Sequence, residues 1–514
     1  MATPIPGNRA RFTAAEIAIA TGGVLVRGAP EAEAIGVCTD SRAVASGNVF
    51  VPLVGERSDG HAFVGDAIAA GAAIVVVARA GAIGKKSVEG AVAVIVVDDT
   101  LVALGALARA HRHRWAREKT SGSALIAITG SAGKTTTKEL CAAALGAAVG
   151  HERVHVTRGN LNNRIGLPLT LLGLEAHHDV AVIEAGTSVR GEIATLAAIC
   201  EPDVALLTHV GVAHAEGLGE PSMSAEQAVA REKRALLAAA RSFAIAPADE
   251  AWGRACLIGV AAEALTFGRA ESADHRLVHV EPRADGTTSV GIARGAETFS
   301  ISLPLLGDAA ARDLCGAICA ADAALSLLGF DELEAARLDA SIAASIRPVA
   351  GRLSPRRRGD GALVLDDSYN ASPSAYAESI RTARALASAG KRRLIVVAGE
   401  MRELGSIAGT AHELVGLALV DASPALVIAV GEGAARIAAA TSAAGIETHH
   451  AIDARAAVKL IEARVEPNDL VLVKGSRGVT TEVVVEGILA AILAPHGENR
   501  QPTLGGETPP PKGG

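Results

Sequence analysis

ALIAITGSAGKTTTKEL, residues 124–140, decides what kind of chain this is. Leu125 to Ile128 is a short apolar run ending at Thr129, the mark of a buried strand. Gly130-Ser131-Ala132-Gly133-Lys134-Thr135-Thr136 follows, then a helical pattern through Leu140 and the alanines beyond. A strand, a glycine-rich turn and a helix N-terminus together make an anion site. The N–H groups of the turn converge, and the helix dipole adds partial positive charge. Lys134 supplies a full charge for β- and γ-phosphates, and the Thr135 hydroxyl suits Mg²⁺. A turn that carried Gly-Lys-Thr by chance would need neither the strand nor the helix, and both are present. The longer form of this motif has glycine where Ile128 stands, so the site is the compact GxxGKT variety. A nucleoside-triphosphate site is predicted.

The rest of the composition bounds the molecule around that loop. At 514 residues the chain exceeds one hydrophobic core, and about three domains are expected. Hydrophobic residues make up 49% and charged residues 20%, as in a globular protein; aromatics are 2%, so Ala, Val, Leu and Ile must fill the cores. A net charge of −7 argues against a nucleic-acid or anionic-membrane surface. No apolar run reaches the roughly 20 residues of a membrane span, and the N-terminus has no signal-like apolar core. The six cysteines are scattered without a CxxC pair, which fits a reducing, cytoplasmic setting; Cys315 and Cys319 read as core residues.

Three units are expected: 1–118, 119–345 and 346–495, with a Pro/Gly-rich disordered tail at 496–514. In the first, Thr13 and Glu16 form a capping box for a helix through Ala20. A strand, turn, helix, strand series follows, in which Arg42 of Thr39-Asp40-Ser41-Arg42 is either a phosphate partner or half of a surface salt bridge. The run His111-Arg112-His113-Arg114 reads as a solvated helix end before a linker. In the second unit, Asn162 and Asn163 precede a helix and either cap it or orient a substrate. Strand 179–186 ends on Glu184, and strand 204–207 leads to His209 and His214, while Lys233 falls on a helix. Taken singly these are an ion pair, a loop histidine and a solvated lysine; together, at strand ends beside the loop, they make a metal site. In the third unit, strands near 362–366, 391–398, 425–430 and 470–474 alternate with helices, the rhythm of a doubly wound sheet.

These pieces resemble the Mur ligases, and within them the D-alanyl-D-alanine-adding branch. The likeness spans most of residues 35–490: TDSR, DGHAF, TGSAGKTT, GNLNNRIGLPLTLL, VIEAG, HVGVAHAEGLG, GRL, DDSYNASP, GEMRELG and VLVKGSRG. The DNPR element of the diamino-acid-adding branch is not found. The resemblance implies an α/β chain of three domains: a small UDP-binding domain, a central P-loop domain with a parallel sheet, and a Rossmann-like C-terminal domain. It implies ATP with two Mg²⁺ ions, UDP-N-acetylmuramoyl-tripeptide and D-alanyl-D-alanine as substrates, and a monomer. Carried onto this sequence, it puts Ser41 and Arg42 at the UDP end and ATP on Gly130 to Thr136, with Arg352 and Asp367 closing on the nucleotide. Asn162, Asn163, Tyr369 and Asn370 would face substrate. Thr135, Glu184, His214 and Lys233 would hold metal, with Lys233 carbamylated. Lys134, Glu184, His214, Lys233 and Arg352 would be the catalytic set.

The chain also departs from the family pattern. Gly307-Asp308-Ala309-Ala310-Ala311-Arg312-Asp313 replaces a segment that carries His-Asn and a later Asn near the adenine. Ser372 stands for a usual Asn, Glu400 for a usual Asp, and Thr187 and Ser188 for other residues. The expected activity is ATP-dependent peptide-bond formation in cell-wall synthesis. Another Mur-like amide ligase, or a non-catalytic nucleotide-binding homologue, are the alternatives.

Overall fold

A computed structural model describes residues 7–55, 58–78, 92–120, 122–187, 189–211, 224–283 and 285–491. The polypeptide forms two compact units, Met1–Arg347 and Pro348 onward. His214 and the tail expected at 496–514 lie outside the described residues.

The larger sheet of the first unit has nine strands. From one edge they run Glu297–Leu303, Thr288–Arg294, His275–Pro282, Glu263–Gly268, Phe243–Pro247, Val204–Leu207, Ala124–Thr129, Val180–Glu184 and Val154–Val156. The six from Val154–Val156 to Glu263–Gly268 are parallel. Strand alternation sorts their side chains into two cores. Leu125, Ala127, Ala181, Ile183, Ala205 and Leu207 face one, whereas Ile126, Ile128, Val180, Val182, Val204 and Leu206 face the other. Both faces are covered by helices, which is why these strands read as unbroken apolar runs. The antiparallel ribbon at 275–303 was not anticipated from sequence; its first strand pairs briefly in parallel with Glu263–Gly268 and the other two extend the sheet antiparallel.

A second sheet, Val24–Arg27, Ala93–Val96, Ile74–Val77, Val49–Phe50 and Val37–Cys38, belongs to the same unit. The predicted capping box is present: Glu16 N–H donates to Thr13 Oγ1 (3.1 Å) and Thr13 N–H to Glu16 Oε2 (2.9 Å). Helix Thr100–Glu118 joins the two sheets, since its apolar face shares one core with both. Here the basic run is not a solvated end. Arg112 is 2% exposed and donates to Cys200 O (3.2 Å), Glu201 O (2.9 Å) and Asp203 Oδ2 (3.1 Å). His111 is buried against Leu174 O (2.9 Å), and Trp115 Nε1 donates to His178 O (2.9 Å). The spacing places His111, Arg112 and Trp115 on the packed side of one helix, and each polar tip finds a helix-end or loop carbonyl there.

The second unit is a six-stranded sheet in the order Ser354–Arg357, Leu363–Asp367, Leu470–Lys474, Leu394–Gly399, Leu426–Val430, Glu447–Ala451. All neighbours are parallel except the first pair. Helices cover both faces, as the strand-helix rhythm predicts. Among the described residues no helix is long and apolar enough to cross a membrane.

Candidate active site

Strand Ala124–Thr129 delivers the glycine-rich turn at its carboxyl end, and helix Lys134–Val149 starts directly after Gly133. Gly133 has φ +82°, a left-handed conformation that glycine adopts without strain. A Cβ there would also fall 2.9 Å from Asp313 Cγ, so the loop backbone lies close against helix Asp308–Leu327. Lys134 Nζ donates to Gly130 O (2.8 Å), folding the lysine back over the turn. Ser131 N–H donates to His209 O (2.9 Å), and its hydroxyl exchanges hydrogen bonds with Gly211 (2.9 and 3.0 Å). Thr208 Oγ1 donates to Ala132 O (2.5 Å). The turn is therefore held from the neighbouring strand's exit loop.

Glu184 closes the adjacent parallel strand, Glu184 opposite Ile128 in register. It is 2% exposed; Oε2 accepts from Thr135 Oγ1 (2.9 Å) and Oε1 from Asn162 Nδ2 (2.7 Å). The two asparagines thus divide the alternatives between them. Asn163 Oδ1 caps the following helix, accepting from Ile165 and Gly166 N–H (3.1 and 2.9 Å), while Asn162 reaches the acid. Lys233, on helix Ala225–Ala238, is 4% exposed. Burial pushes its ammonium down to about 7, the charge of Lys134 adds to that, and Glu232 opposes it. Glu232 itself accepts from Gly191 and Ile193 N–H (both 2.8 Å), fixing the helix on which Lys233 rides. So Lys134, Thr135, Glu184, Asn162 and Lys233 gather at one sheet edge. Oxygen donors at Thr135 and Glu184, converging within hydrogen-bond distance, are the hard set that Mg²⁺ prefers, so these residues fit the ion. No group of three His, Cys, Asp or Glu with metal-holding geometry occurs among the described residues.

Sequence reasoning missed Glu250 and the contacts that His209 and Arg312, named only by their place in the chain, make with it near the turn. His209 Nδ1 lies 2.5 Å from Glu250 Oε1, and Val210 N–H donates to Glu250 Oε2 (3.2 Å). Arg312 is 3.8 Å from the same carboxylate. Asp313, read only as a departure, sits against Gly133; burial pushes its carboxyl up to about 8 despite the neighbouring Arg312. In the small sheet, Arg42 is exposed and forks onto its own Asp40 (2.9 and 2.7 Å), the salt-bridge alternative; Ser41 opens a short 3₁₀ turn that Asp40 caps.

In the second unit, Asp366 and Asp367 end strand Leu363–Asp367. Asp367 Oδ2 accepts from Lys474 Nζ (2.6 Å) and Ser379 Oγ (2.5 Å), and Oδ1 from Leu353 N–H (3.1 Å). Lys474 also donates to Asn370 O (3.1 Å). Asp367 therefore locks the segment carrying Arg352, whose guanidinium lies 4.7 Å from the centre of the Tyr369 ring. Ser372 caps helix Pro373–Ala389 by accepting from Ala375 N–H (3.3 Å), which explains serine there, since Ser and Asn are comparable caps.

Three family models match along the chain: Mur ligase family, catalytic domain, at 34–112; Mur ligase middle domain at 128–321; and Mur ligase, glutamate ligase domain, at 351–477. A UDP-N-acetylmuramoyl-tripeptide--D-alanyl-D-alanine ligase of Bacillus subtilis is 32% identical over 473 residues, 89% of this chain and 94% of the relative. The Escherichia coli protein of that name is 32% identical over 460 residues, covering 88% and 93%. Among solved structures, MurF from Acinetobacter baumannii superposes with a TM-score of 0.76 at 26% identity, covering 95% of this chain and all of that one. MurF ligase from Thermotoga maritima, solved in complex with ADP, gives 0.72 at 28% identity, with 89% and 97% covered. With phosphate loop, strand-end acid and C-terminal sheet all matched along the sequence, the chain belongs to the Mur ligase family.

Proposed function

We propose that this chain joins D-alanyl-D-alanine to UDP-N-acetylmuramoyl-tripeptide, driven by ATP, for peptidoglycan synthesis. The names of its relatives support the substrates. The observation that carries the chemistry is the contact of Thr135 with Glu184, which puts a buried acid at the mouth of a phosphate loop. The three parts would divide the work at 1–118, 119–345 and 346–495, holding UDP, ATP and dipeptide in turn.

The difficulty of the reaction is that a carboxylate must meet a polyanion. Lys134 and the N–H groups of residues 132–136 would take the triphosphate, drawing charge away from the γ-phosphorus. Arg352 would complete that neutralisation from the C-terminal part. Thr135, Glu184, Lys233 and His214 would hold Mg²⁺ at two positions; the ions supply charge neutralisation between the substrate carboxylate and the γ-phosphate. For Lys233 this requires a carbamate, since an ammonium repels cations. Its lowered pKa favours the neutral amine that CO₂ captures. The tripeptide carboxylate oxygen attacks the γ-phosphorus, ADP leaves, and an acyl phosphate results. The dipeptide amine attacks its carbonyl, the C–O bond to phosphate breaks, and the amine proton is lost as phosphate departs. Asn162 keeps Glu184 turned toward Thr135; Asn163 fixes the helix behind it. Ser41 and Arg42 would face the UDP end, Tyr369 and Asn370 the dipeptide.

The test is phosphate release with UDP-N-acetylmuramoyl-tripeptide and a panel of amines: D-alanyl-D-alanine, meso-diaminopimelate and glutamate. Turnover with the dipeptide alone is expected. Turnover with another amine would make the chain a different amide ligase, and none with any would refute ligation. A mass increase of about 44 Da at Lys233, that of one added CO₂, checks the carbamate.

A further inference from the structure

The long helix Thr100–Glu118 carries Ala110, His113 and Arg117 at i, i+3 and i+7, which is one face of the helix. That face lines a cavity of about 870 Å³. Helix Ala14–Thr21 supplies a second wall through Glu16 and Ile19, and Glu201 and Arg241 supply a third. Glu201 and Arg241 precede strands Val204–Leu207 and Phe243–Pro247, so this wall stands at the amino ends of the parallel strands. The phosphate loop and Glu184 stand at the carboxyl ends. The cavity is therefore separate from the candidate active site.

Its charges do not balance. Arg112, Arg114, Arg117 and Arg241 line it, against the acids Glu16 and Glu201. Both acids are already taken. Glu16 pairs with Arg114 (2.9 Å), which also lies 5.3 Å from the centre of the Phe12 ring. Glu201 is bound by Arg109 and by His113 (2.8 Å). The guanidinium of Arg117 has no hydrogen-bond or ion-pair partner among the described residues. Arg241 reaches only Asp203, at 3.5 Å, and that carboxylate already accepts from Arg112 (3.1 Å) and Leu125 N–H (2.9 Å). Both side chains are exposed. In a chain of net charge −7, two guanidinium groups with unspent N–H donors thus share one cavity with an apolar wall of Phe12, Ile19 and Ala20.

We infer that this cavity binds a phosphorylated organic molecule, its phosphate on Arg117 and Arg241 and its body against Phe12 and Ile19. Two guanidinium forks suit a dianion, and a phosphate monoester brings three acceptor oxygens where a carboxylate brings two. The volume is that of a pocket for a small organic molecule, well beyond bare phosphate. The assignment makes no use of the ligase reading, since no residue given a part in that reaction lines the cavity. An occupant would touch helix Ala14–Thr21 on one side and the large sheet's strand entries on the other, and so brace the two sheets of the first unit against each other.

Calorimetric titration tests this with phenyl phosphate, inorganic phosphate and benzoate, on the wild type, Arg117→Met, Arg241→Met and Lys134→Met. Phenyl phosphate should bind the wild type about 10-fold more tightly than inorganic phosphate, through burial of its ring. It should also bind more tightly than benzoate, which has the ring but a single charge. Arg117→Met and Arg241→Met should each weaken phenyl phosphate by about 10-fold or more, the worth of a charge-assisted hydrogen bond. Lys134→Met, which disables the phosphate loop, should leave this binding unchanged. Unchanged melting temperatures check that the exposed substitutions leave the fold intact. Binding that survives both arginine substitutions but is lost in Lys134→Met belongs to the phosphate loop and overturns the assignment. Equal affinity for inorganic phosphate or for benzoate overturns it as well, as does the absence of any arginine-dependent binding.

Discussion

Replacing Gly133 with alanine asks two things of the loop at once, and the structure says how large each is. The first is backbone strain: at φ +82° an L-residue costs about 1–2 kcal/mol. The second is steric, because the new Cβ would lie 2.9 Å from Asp313 Cγ, and pushing a packed neighbour aside costs about 1–3 kcal/mol. Only the second depends on Asp313. Gly133→Ala should therefore destabilise the first unit by about 2–5 kcal/mol in the wild-type background, summing those two costs. With Asp313→Ala already present, only the backbone share of about 1–2 kcal/mol should remain. The double-mutant cycle, measured by urea unfolding without nucleotide, should thus show a coupling of about 1–3 kcal/mol. A coupling near zero would mean that Asp313 yields freely, and the claim that this helix presses on the loop would fail. ATP affinity should fall with Gly133→Ala in both backgrounds, since the strained turn no longer aims its N–H groups.

Other perturbations have equally definite outcomes. Glu184→Gln keeps an acceptor for Thr135 but loses the charge; kcat/KM should drop by roughly 100-fold, with a higher Mg²⁺ requirement in a metal titration. Arg112→Met strips two carbonyl partners and one carboxylate and leaves half-buried Asp203 with Leu125 N–H and the more distant Arg241 (3.5 Å), so a loss of about 1–3 kcal/mol is expected in denaturant unfolding. Asp313 has a folded pKa raised to about 8 from 3.8, so between those values the native state holds a proton that the unfolded chain has lost. Its contribution is complete below pH 3.8 and lost as pH rises toward 8, with a slope of at most about 1.4 kcal/mol per pH unit. Stability curves of wild type and Asp313→Asn should consequently diverge with rising pH across that window, Asn gaining; parallel curves would contradict the burial of this carboxyl.

The parts of the site legible in sequence are those where one short stretch does the whole job. Residues 124–140 contain strand, turn and helix start together, so their geometry follows from local rules. Glu184 was also readable, because a single acid ending an apolar run marks a strand's carboxyl edge. Glu250 was not, and neither were the contacts that His209 and Asp313 make, since ordinary residue types from distant segments meet only when the sheet assembles. The run at 111–114 misled because polar residues were read as solvated, whereas burial with every hydrogen bond made is equally open to Arg. The ribbon at 275–303 did carry a signal: TSVGIAR and ETFSISL alternate about Gly295, whose φ is +54°. Arg42 illustrates a limit of spacing, which cannot tell a phosphate from an aspartate two residues away.

The placement of Trp115 on the packed side of the helix joining the two sheets has a practical side. The chain's two tryptophans, Trp115 and Trp252, are in the first unit, and its two tyrosines, Tyr369 and Tyr376, in the second. Indole emission thus reports on one half of the polypeptide, and phenol absorbance is weighted toward the other. Melting followed in both optical channels would time the collapse of each half within a single unlabelled sample.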